Sequence, residues 1–431
     1  MRALHIQEEL FSRPVDTSEV RKESSSTFID NMRLPVHRWF RFSAGFSAEW
    51  VEAVIRDCGV DRPHVLDPFA GSGTTLLAAE KVGVESMGVE AHPFIARIAL
   101  AKLAWRSDPK AYLNKVRGLR ERAEKATPEI DSYPALIHKC YDAETLVKLD
   151  KLRRAFEEVN DDTPSSKLAW LTLVSILRQV SPVGTAQWQY ILPNKHKSQV
   201  AEVYEAFDRC CETFYKDMMS GQSLVGPQAV LVTGDARTCK GVPDHWADLV
   251  VTSPPYPNNY DYADATRLEM SFMKEIDGWG DLQLKIRPHL IRSCSQHVPE
   301  KAVDMQQVLD SQELEPIRDE LSKVCRDLAT IRLTKGGKKT YHLMVACYFR
   351  DLALVWHALR RCCRSPSTAC FVVGDSAPYG VYVPVVPWLM SLAVSAGFNS
   401  PEFEKTRERN TKWKNRKHRV PLQEGRLSVK G

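Results

Sequence analysis

The chain has 431 residues, of which 43% are hydrophobic, and its formal net charge is +5. This length exceeds the roughly 150–250 residues of one domain, so a core with a second domain or large insertions is expected. No apolar run approaches the ~18–20 residues of a membrane span, and the start of the chain lacks the apolar region of a signal peptide. The 11 cysteines never form Cys-x-x-Cys, so neither a disulfide framework nor a metal site is indicated, and a cytoplasmic protein is predicted.

The first predicted strand is a short apolar stretch that ends at Asp67. A loop of small residues, 69–74, separates it from helix-forming residues at 76–80, and this order predicts strand, glycine turn and helix. Gly71 and Gly73 allow unusual φ values and a close approach of the backbone to a ligand. A P-loop for nucleoside triphosphates is disfavoured, because the loop lacks the required lysine.

The second predicted strand, 86–90, ends in a carboxylate. Glu90 lies roughly 20 residues beyond the glycine loop. In dinucleotide-binding folds an acid at this place accepts hydrogen bonds from both hydroxyls of a ribose. The loop and the acid together indicate a ligand that contains ribose.

The stretch from 101 to 219 has apolar residues mostly at helical spacing. A polar, aromatic and basic loop at 181–197 interrupts these helices, and a later segment, 278–339, mixes helix with a Lys- and Gly-rich loop. Each segment is interpreted either as an addition that stabilises or oligomerises the core or as a target-recognition element. Under the second interpretation, the groups suited to contact nucleic acid are Trp188, Tyr190, Lys195 and Lys197.

The apolar strand 248–251 stops at the sequence Thr252-Ser253-Pro254-Pro255-Tyr256. Two prolines remove two backbone donors, so the neighbouring carbonyls stay free to accept other hydrogen bonds. A hydroxyl, free carbonyls and an aromatic face therefore meet at one strand end, where they could hold a planar heterocycle by its exocyclic amine. Taken alone, the sequence is also compatible with an ordinary strand-ending turn.

Basic residues concentrate near the C-terminus. From Lys405 onward, ten lysines and arginines accompany only two acidic residues, Glu408 and Glu424. Such a cluster, with Trp413 inside it, could hold phosphates through charge-assisted hydrogen bonds, or it could be a solvated charged surface. The candidate phosphate contacts are Lys412, Lys414 and Arg416.

The glycine loop and the Ser-Pro-Pro-Tyr sequence, each at a strand end and in this order, resemble the motifs of the S-adenosylmethionine-dependent amino-methyltransferases of DNA. The resemblance implies an α/β fold: a Rossmann-like methyltransferase core with a mostly parallel sheet and a C-terminal antiparallel hairpin, plus largely helical insertions. The core would comprise residues 1–105, 228–277 and 340–431. Residues 106–227 would form a helical insertion and candidate target-recognition domain, and 278–339 a second insertion.

The resemblance also implies roles for individual residues. The loop after Asp67 would wrap the methionine end of S-adenosyl-L-methionine, Glu90 would hold the ribose, and Asp235 would contact the adenine amine. The implied cofactor-binding residues are Phe46, Asp67, Pro68, Phe69, Ala70, Gly71, Ser72, Gly73, Thr74, Glu90 and Asp235. The implied catalytic residues are Ser253, Pro254, Pro255 and Tyr256.

The implied activity is methylation of an exocyclic amine in double-stranded DNA, with the base flipped out because an amine inside the duplex cannot reach the cofactor. Ser-Pro-Pro-Tyr is most often found in cytosine-N4 enzymes, so cytosine N4 is favoured over adenine N6. Methylation at cytosine carbon-5 needs a cysteine beside proline, and the chain has no Pro-Cys pair. An RNA amino-methyltransferase and a non-enzymatic nucleic-acid binder stay open, and a cognate restriction endonuclease is a candidate partner.

Overall fold

The computed structural model describes residues 30–42, 45–186, 189–258, 260–336, 339–409 and 421–431. The strands, in chain order, are β1 (Val65–Asp67), β2 (Ser86–Glu90), β3 (Val183–Thr185), β4 (Ile191–His196), β5 (Val230–Thr233), β6 (Ala247–Thr252), β7 (Cys363–Gly374), β8 (Asn399–Arg409) and β9 (Leu422–Lys430). The helices are α1 (Ala48–Asp57), α2 (Thr74–Val82), α3 (Pro93–Leu103), α4 (Pro109–Lys125), α5 (Ala135–Cys140), α6 (Ala143–Val159), α7 (Pro164–Ile176), α8 (Val203–Gly221), α9 (Tyr262–Ala265), α10 (Arg267–Phe272), α11 (Trp279–Asp281), α12 (Met305–Leu309), α13 (Arg318–Arg332), α14 (Tyr341–Cys362) and α15 (Val385–Ser395).

A seven-stranded sheet forms the centre of the molecule, with the strand order β5-β2-β1-β6-β7-β9-β8. Strands β5, β2, β1, β6 and β7 run parallel, whereas β9 is antiparallel to both β7 and β8. Helices cover both faces of a parallel sheet, so the sequences of its strands are continuous apolar runs. Val65, Leu66 and Val250 are accordingly fully buried. The fold class expected from the sequence is confirmed.

The strand order places a crevice between β1 and β6. The chain leaves β1 through α2 to reach β2 on one side, and it later enters β6 on the other side. At such a switch point, the loops that follow the two strands diverge, and open α/β sheets bind their ligands there. The glycine loop follows β1 and the Ser-Pro-Pro-Tyr sequence follows β6, so both predicted motifs flank this crevice.

Residues 106–227 contain α4 to α8 and the antiparallel hairpin β3–β4. Their helices share a core in which Tyr112, Leu149 and Trp170 are fully buried, as the helical periodicity indicated. The interruption expected as a loop is partly a strand pair, because Val183 and Ile191 turn into that core and the two segments pair, Val183 with His196 and Thr185 with Ile191. Each strand is too short to show a period in the sequence. The boundaries assigned to this insertion stay a prediction.

The second insertion, 278–339, packs α12 and α13 against the long helix α14. Leu314, Leu321 and Leu328 are fully buried at that contact. Within the described residues, no helix has the length and apolar character needed to cross a membrane.

Candidate active site

A cavity opens at the carboxyl ends of β1, β2, β5 and β6. Its walls bring together residues that are distant in sequence but follow neighbouring parallel strands. The predicted site residues that line it are Phe46, Pro68, Phe69, Ala70, Gly71, Ser72, Thr74, Glu90, Asp235, Ser253 and Pro255. The remaining predicted residues Asp67, Gly73, Pro254 and Tyr256 lie directly beside these in the chain and are not part of the lining.

The glycine loop owes its shape to two left-handed residues. Gly71 has φ +53° and Gly73 has φ +90°, conformations that L side chains rarely adopt. A Cβ at Gly71 would also lie 3.2 Å from Cε1 of the Phe42 ring, which packs over the loop. Gly73 then serves as the N-cap of α2. The loop can thus present its backbone closely to a ligand in the cavity.

Glu90 is held at the end of β2 by backbone donors. Its Oε2 accepts the Gly71 N–H at 2.8 Å, and its Oε1 accepts the His92 N–H at 2.7 Å. Each carboxylate oxygen has a second lone pair that can accept a ligand hydroxyl. Burial, which opposes ionisation, raises the pKa of Glu90 to about 7. This arrangement fits the predicted contact with a ribose.

Asp67 joins the two strands that flank the crevice. Its Oδ1 accepts the Thr252 hydroxyl at 2.6 Å and the Phe69 N–H at 3.0 Å. Only 1% of the residue is exposed, and burial raises its pKa to about 6. Asp67 therefore fixes the ends of β1 and β6 relative to each other. Its direct contact with a cofactor stays a prediction.

Asp235 belongs to an ion-pair chain that continues into the second insertion. Arg237 bridges it, with Nε 2.9 Å from each carboxylate oxygen of Asp235 and Nη1 3.4 Å from Asp351. Asp351, which is fully buried in α14, also accepts Arg292 Nε at 2.9 Å. These contacts hold the segment 288–292 against the cavity.

The segment 288–292 supplies a wall that sequence analysis missed. His289, Leu290 and Ile291 line the cavity, although the second insertion was considered only as decoration or as a target reader. No local signal could have found them, because their position depends on ion pairs to residues more than fifty positions away. The second insertion therefore contributes to the same cavity as the glycine loop.

Ser253 follows β6 and is bound to the neighbouring strand β7. Its hydroxyl donates to the carbonyl of Val372 at 3.1 Å. Because the proton is used in this bond, the oxygen lone pairs remain to accept a hydrogen bond from an amine. The neutral serine can thereby offer an acceptor beside Pro255, which also lines the cavity.

The hairpin β3–β4 approaches the segment that follows Tyr256. The Tyr190 ring lies 5.6 Å from the Tyr260 ring, and the Tyr190 hydroxyl accepts the Asp261 N–H at 2.6 Å. Lys195 is exposed, whereas the Lys197 ammonium donates to the carbonyls of Arg178 at 2.6 Å and Ser181 at 3.1 Å. The predicted contacts Trp188, Lys412, Lys414 and Arg416 lie outside the described residues.

Asp261, Cys294 and His297 form a buried group whose ligand atoms lie within 4.8 Å of one another, a spacing that could hold a metal ion. Arg287 Nη2 lies 2.6 Å from Asp261 Oδ2, and His297 Nε2 lies 3.1 Å from Asp261 Oδ1. Burial alone would raise the pKa of Asp261, but its contacts with His297 and Arg287 hold it at about 2. The carboxylate is therefore already neutralised by protein groups, and it anchors the second insertion beside the active site.

The chain is similar to known methyltransferases. Residues 12–101 match the family described as DNA methylase. The chain is 24% identical over 439 residues to Type II methyltransferase M.BsoBI of Geobacillus stearothermophilus. This alignment covers 89% of this chain and 82% of that protein. It is 24% identical over 410 residues to Type II methyltransferase M.AvaI of Anabaena variabilis, covering 86% and 81% respectively. A shorter match, 33% over 94 residues, joins it to Type II methyltransferase M.ScaI of Streptomyces caespitosus, covering 22% of this chain and 29% of that protein.

A mostly parallel sheet with a glycine loop, an acid at the end of the second strand and a cavity at its switch point is consistent with the class of Rossmann-like methyltransferases. Within that class, the motifs and these relatives are those of one family. These motifs, the matched family and the relatives support an amino-methyltransferase of the N4/N6 type, and methyltransferases of this type use S-adenosylmethionine as methyl donor.

The residues of the cavity fit this cofactor. Glu90 offers acceptors for hydroxyls, and the backbone of the glycine loop is open to close approach. When bound, the cofactor supplies an electrophilic methyl group; the protein supplies the orientation of donor and acceptor.

The raised pKa of Glu90 predicts how cofactor affinity varies with pH. The ionised carboxylate can accept two ribose hydroxyls, so binding selects the ionised form, whereas the empty site favours the protonated form below a pH of about 7. Affinity for S-adenosylhomocysteine should therefore rise from about pH 5.5 to about pH 8, by up to about tenfold per pH unit. Calorimetric titration across this range measures the effect, and Glu90→Gln should remove most of it. A flat profile in the intact protein would contradict the assigned role.

Proposed function

We propose that the chain is a site-specific Type II DNA methyltransferase that methylates the exocyclic N4 amine of a cytosine flipped out of the duplex. The observation that carries the proposal is the geometry of Ser253, which lines the cavity and whose hydroxyl donates to the Val372 carbonyl. A hydrogen-bond acceptor is thereby fixed beside the site of methyl transfer.

The chemistry requires such an acceptor. An exocyclic amine is a poor nucleophile, because its lone pair is delocalised into the ring. Hydrogen bonds from the amine to Ser253 Oγ and to the Pro254 carbonyl favour the pyramidal nitrogen that forms during attack on the methyl group. Tyr256 offers a ring on which the base can stack.

The preference for cytosine N4 rests on the serine of the motif. Serine is neutral and is the residue most often found in cytosine-N4 enzymes that resemble this chain, whereas aspartate or asparagine dominates in adenine-N6 enzymes. Adenine N6 is the alternative acceptor. An RNA substrate ranks below both, because the relatives are named as Type II methyltransferases.

Recognition of DNA is proposed to involve the β3–β4 hairpin and three basic residues of the C-terminal segment, Lys412, Lys414 and Arg416. The hairpin supports this role because Tyr190 contacts the residues that follow the Ser-Pro-Pro-Tyr sequence, and Lys195 is exposed on β4. Phosphates on either side of a flipped base must be held close to the pocket. Trp188, Lys412, Lys414 and Arg416 remain candidates, while Lys197 would first have to leave two backbone carbonyls.

The names of the relatives support the proposal that this enzyme acts in the cytoplasm as the modifying half of a restriction-modification pair. A cognate endonuclease would then cleave the sequence that this enzyme methylates. Methylation protects DNA only if both enzymes read the same sequence.

Sequencing that detects modified bases tests the proposed reaction. DNA from cells that express the chain should carry N4-methylcytosine at one sequence motif, and DNA from cells that express Ser253→Ala should not. N6-methyladenine at one motif would overturn the cytosine assignment and keep the enzyme class. Unmodified DNA together with modified RNA, from cells that contain folded protein, would overturn DNA as the substrate.

A further inference from the structure

The ring of Tyr256 is covered by an arginine from the C-terminal hairpin. The guanidinium carbon of Arg409, the last residue of β8, lies 4.8 Å from the centroid of the Tyr256 ring. A planar guanidinium at this distance makes a cation–π contact and occupies stacking area on the ring. None of the roles described above involves Arg409.

Arg409 is held in this place by specific contacts. Its Nη1 donates to the carbonyl of Asp375 at 2.7 Å, and its Nε lies 3.6 Å from Oε2 of Glu424. Gly374 provides the room: a Cβ there would lie 3.0 Å from Nη1 and 3.1 Å from Cδ of Arg409. The strand end β7 is thus shaped to receive this side chain.

The cavity shows what this contact does to the active site. Ser253 and Pro255 face the cavity, but Tyr256 is not part of its lining. A base whose amine reaches Ser253 needs a free face of the neighbouring tyrosine ring in order to stack. In the structure the Arg409 guanidinium already lies over the ring. It is fixed there by one hydrogen bond and one longer ion-pair contact, and a base that stacks on the ring can displace it.

We propose that Arg409 is a placeholder for the target base: its guanidinium occupies the stacking face of Tyr256 in the free enzyme and leaves when a flipped base enters. The inference rests on the proposed function and extends it to a residue that controls base entry. Because the base must displace the guanidinium, the contact opposes entry of bases that gain too little from the pocket. Arg409 is therefore a positioning residue that acts through Tyr256.

Arg407 provides a matched control. It lies two residues earlier on the same strand and also pairs with Glu424, at 2.6 Å from Nη2 to Oε1. Its side chain is 47% exposed, whereas that of Arg409 is 15% exposed and covers the ring. Removing either arginine takes one positive charge from the hairpin, so only an effect specific to Arg409 reports on the ring contact.

The experiment places 2-aminopurine at the target position of a duplex that contains the mapped recognition sequence. Fluorescence of this base rises when it leaves the stack, so it measures the flipped fraction in the presence of S-adenosylhomocysteine. Arg409→Ala should increase the flipped fraction relative to the unflipped one about two- to fivefold, whereas Arg407→Ala should leave it unchanged. Gly374→Ala, which crowds the arginine without removing it, should change the ratio in the same direction.

A decrease with Arg409→Ala would overturn the proposal, because it would show that the arginine supports the ring from behind. An equal effect of Arg407→Ala would also overturn it, by pointing to charge alone. Loss of stability by itself would lower the signal, so the expected increase does not arise from a damaged fold. A duplex that gives no signal with the intact enzyme would instead contradict base flipping, and with it the proposed function.

Discussion

Replacing Ser253 by alanine is expected to lower turnover by about 100- to 1,000-fold, while DNA affinity changes little. In the proposed mechanism the hydroxyl oxygen accepts an amine hydrogen bond that strengthens as the nitrogen becomes pyramidal, so its contribution would appear mainly in the transition state. The bond to the Val372 carbonyl fixes the direction of that acceptor. Single-turnover methylation and equilibrium DNA binding, measured on the same variant, separate the two effects.

A serine outside the site provides the control. Ser391 is exposed on α15, where its hydroxyl bonds only to the Pro387 carbonyl of its own helix in the described contacts. Ser391→Ala should leave both turnover and DNA affinity unchanged. Near-normal turnover of Ser253→Ala would mean that the hydroxyl only shapes the turn after β6, and the mechanism would be wrong.

Replacing Glu90 by alanine is expected to weaken S-adenosylhomocysteine binding by about 1–3 kcal/mol, because hydrogen bonds to a charged group are lost. The same change leaves the N–H groups of Gly71 and His92 without their acceptor, so the glycine loop should also lose order. Glu90→Gln keeps one carbonyl oxygen and should weaken binding less. Calorimetric titration gives the affinity of each variant.

Glu85 is the matched control for this experiment. It immediately precedes β2 at its amino end, with a side chain that is 60% exposed, and it lies next to His64 rather than the cavity. Glu85→Ala should bind S-adenosylhomocysteine like the intact protein. If the intact protein showed no binding at all, the cofactor assignment itself would fail.

The sequence was sufficient to predict the parts of the site that sit on strand ends. The loop after Asp67, the acid at Glu90 and the turn at Ser253 each follow a short apolar run, and local signals of this kind depend on few residues. Once the strands are parallel, their carboxyl ends meet at one edge of the sheet, so the three motifs converge without further information. The mostly parallel core and the final antiparallel hairpin were predictable because these motifs resemble those of a family with that fold.

Other features depended on contacts between distant residues. The cavity wall at 288–292 is fixed by the pairing of Asp351 with Arg237 and Arg292, and nothing in the sequence near these residues signals the pairing. The covering of Tyr256 by Arg409 joins β8 to the turn after β6 across intervening strands.

By itself, therefore, the sequence determined the positions of the glycine loop and of the Ser-Pro-Pro-Tyr turn, because these follow from hydrophobic period, glycine conformation and proline geometry along the chain; the fold class followed from the resemblance that these motifs carry. Only the tertiary structure decided which insertion closes the cavity, that Lys197 binds backbone carbonyls and that Arg409 lies over the Tyr256 ring. These outcomes depend on ion pairs and stacking contacts whose partners come together only after the sheet has formed. The strength of such contacts depends on distance and burial in space, and no pattern along the chain encodes either quantity.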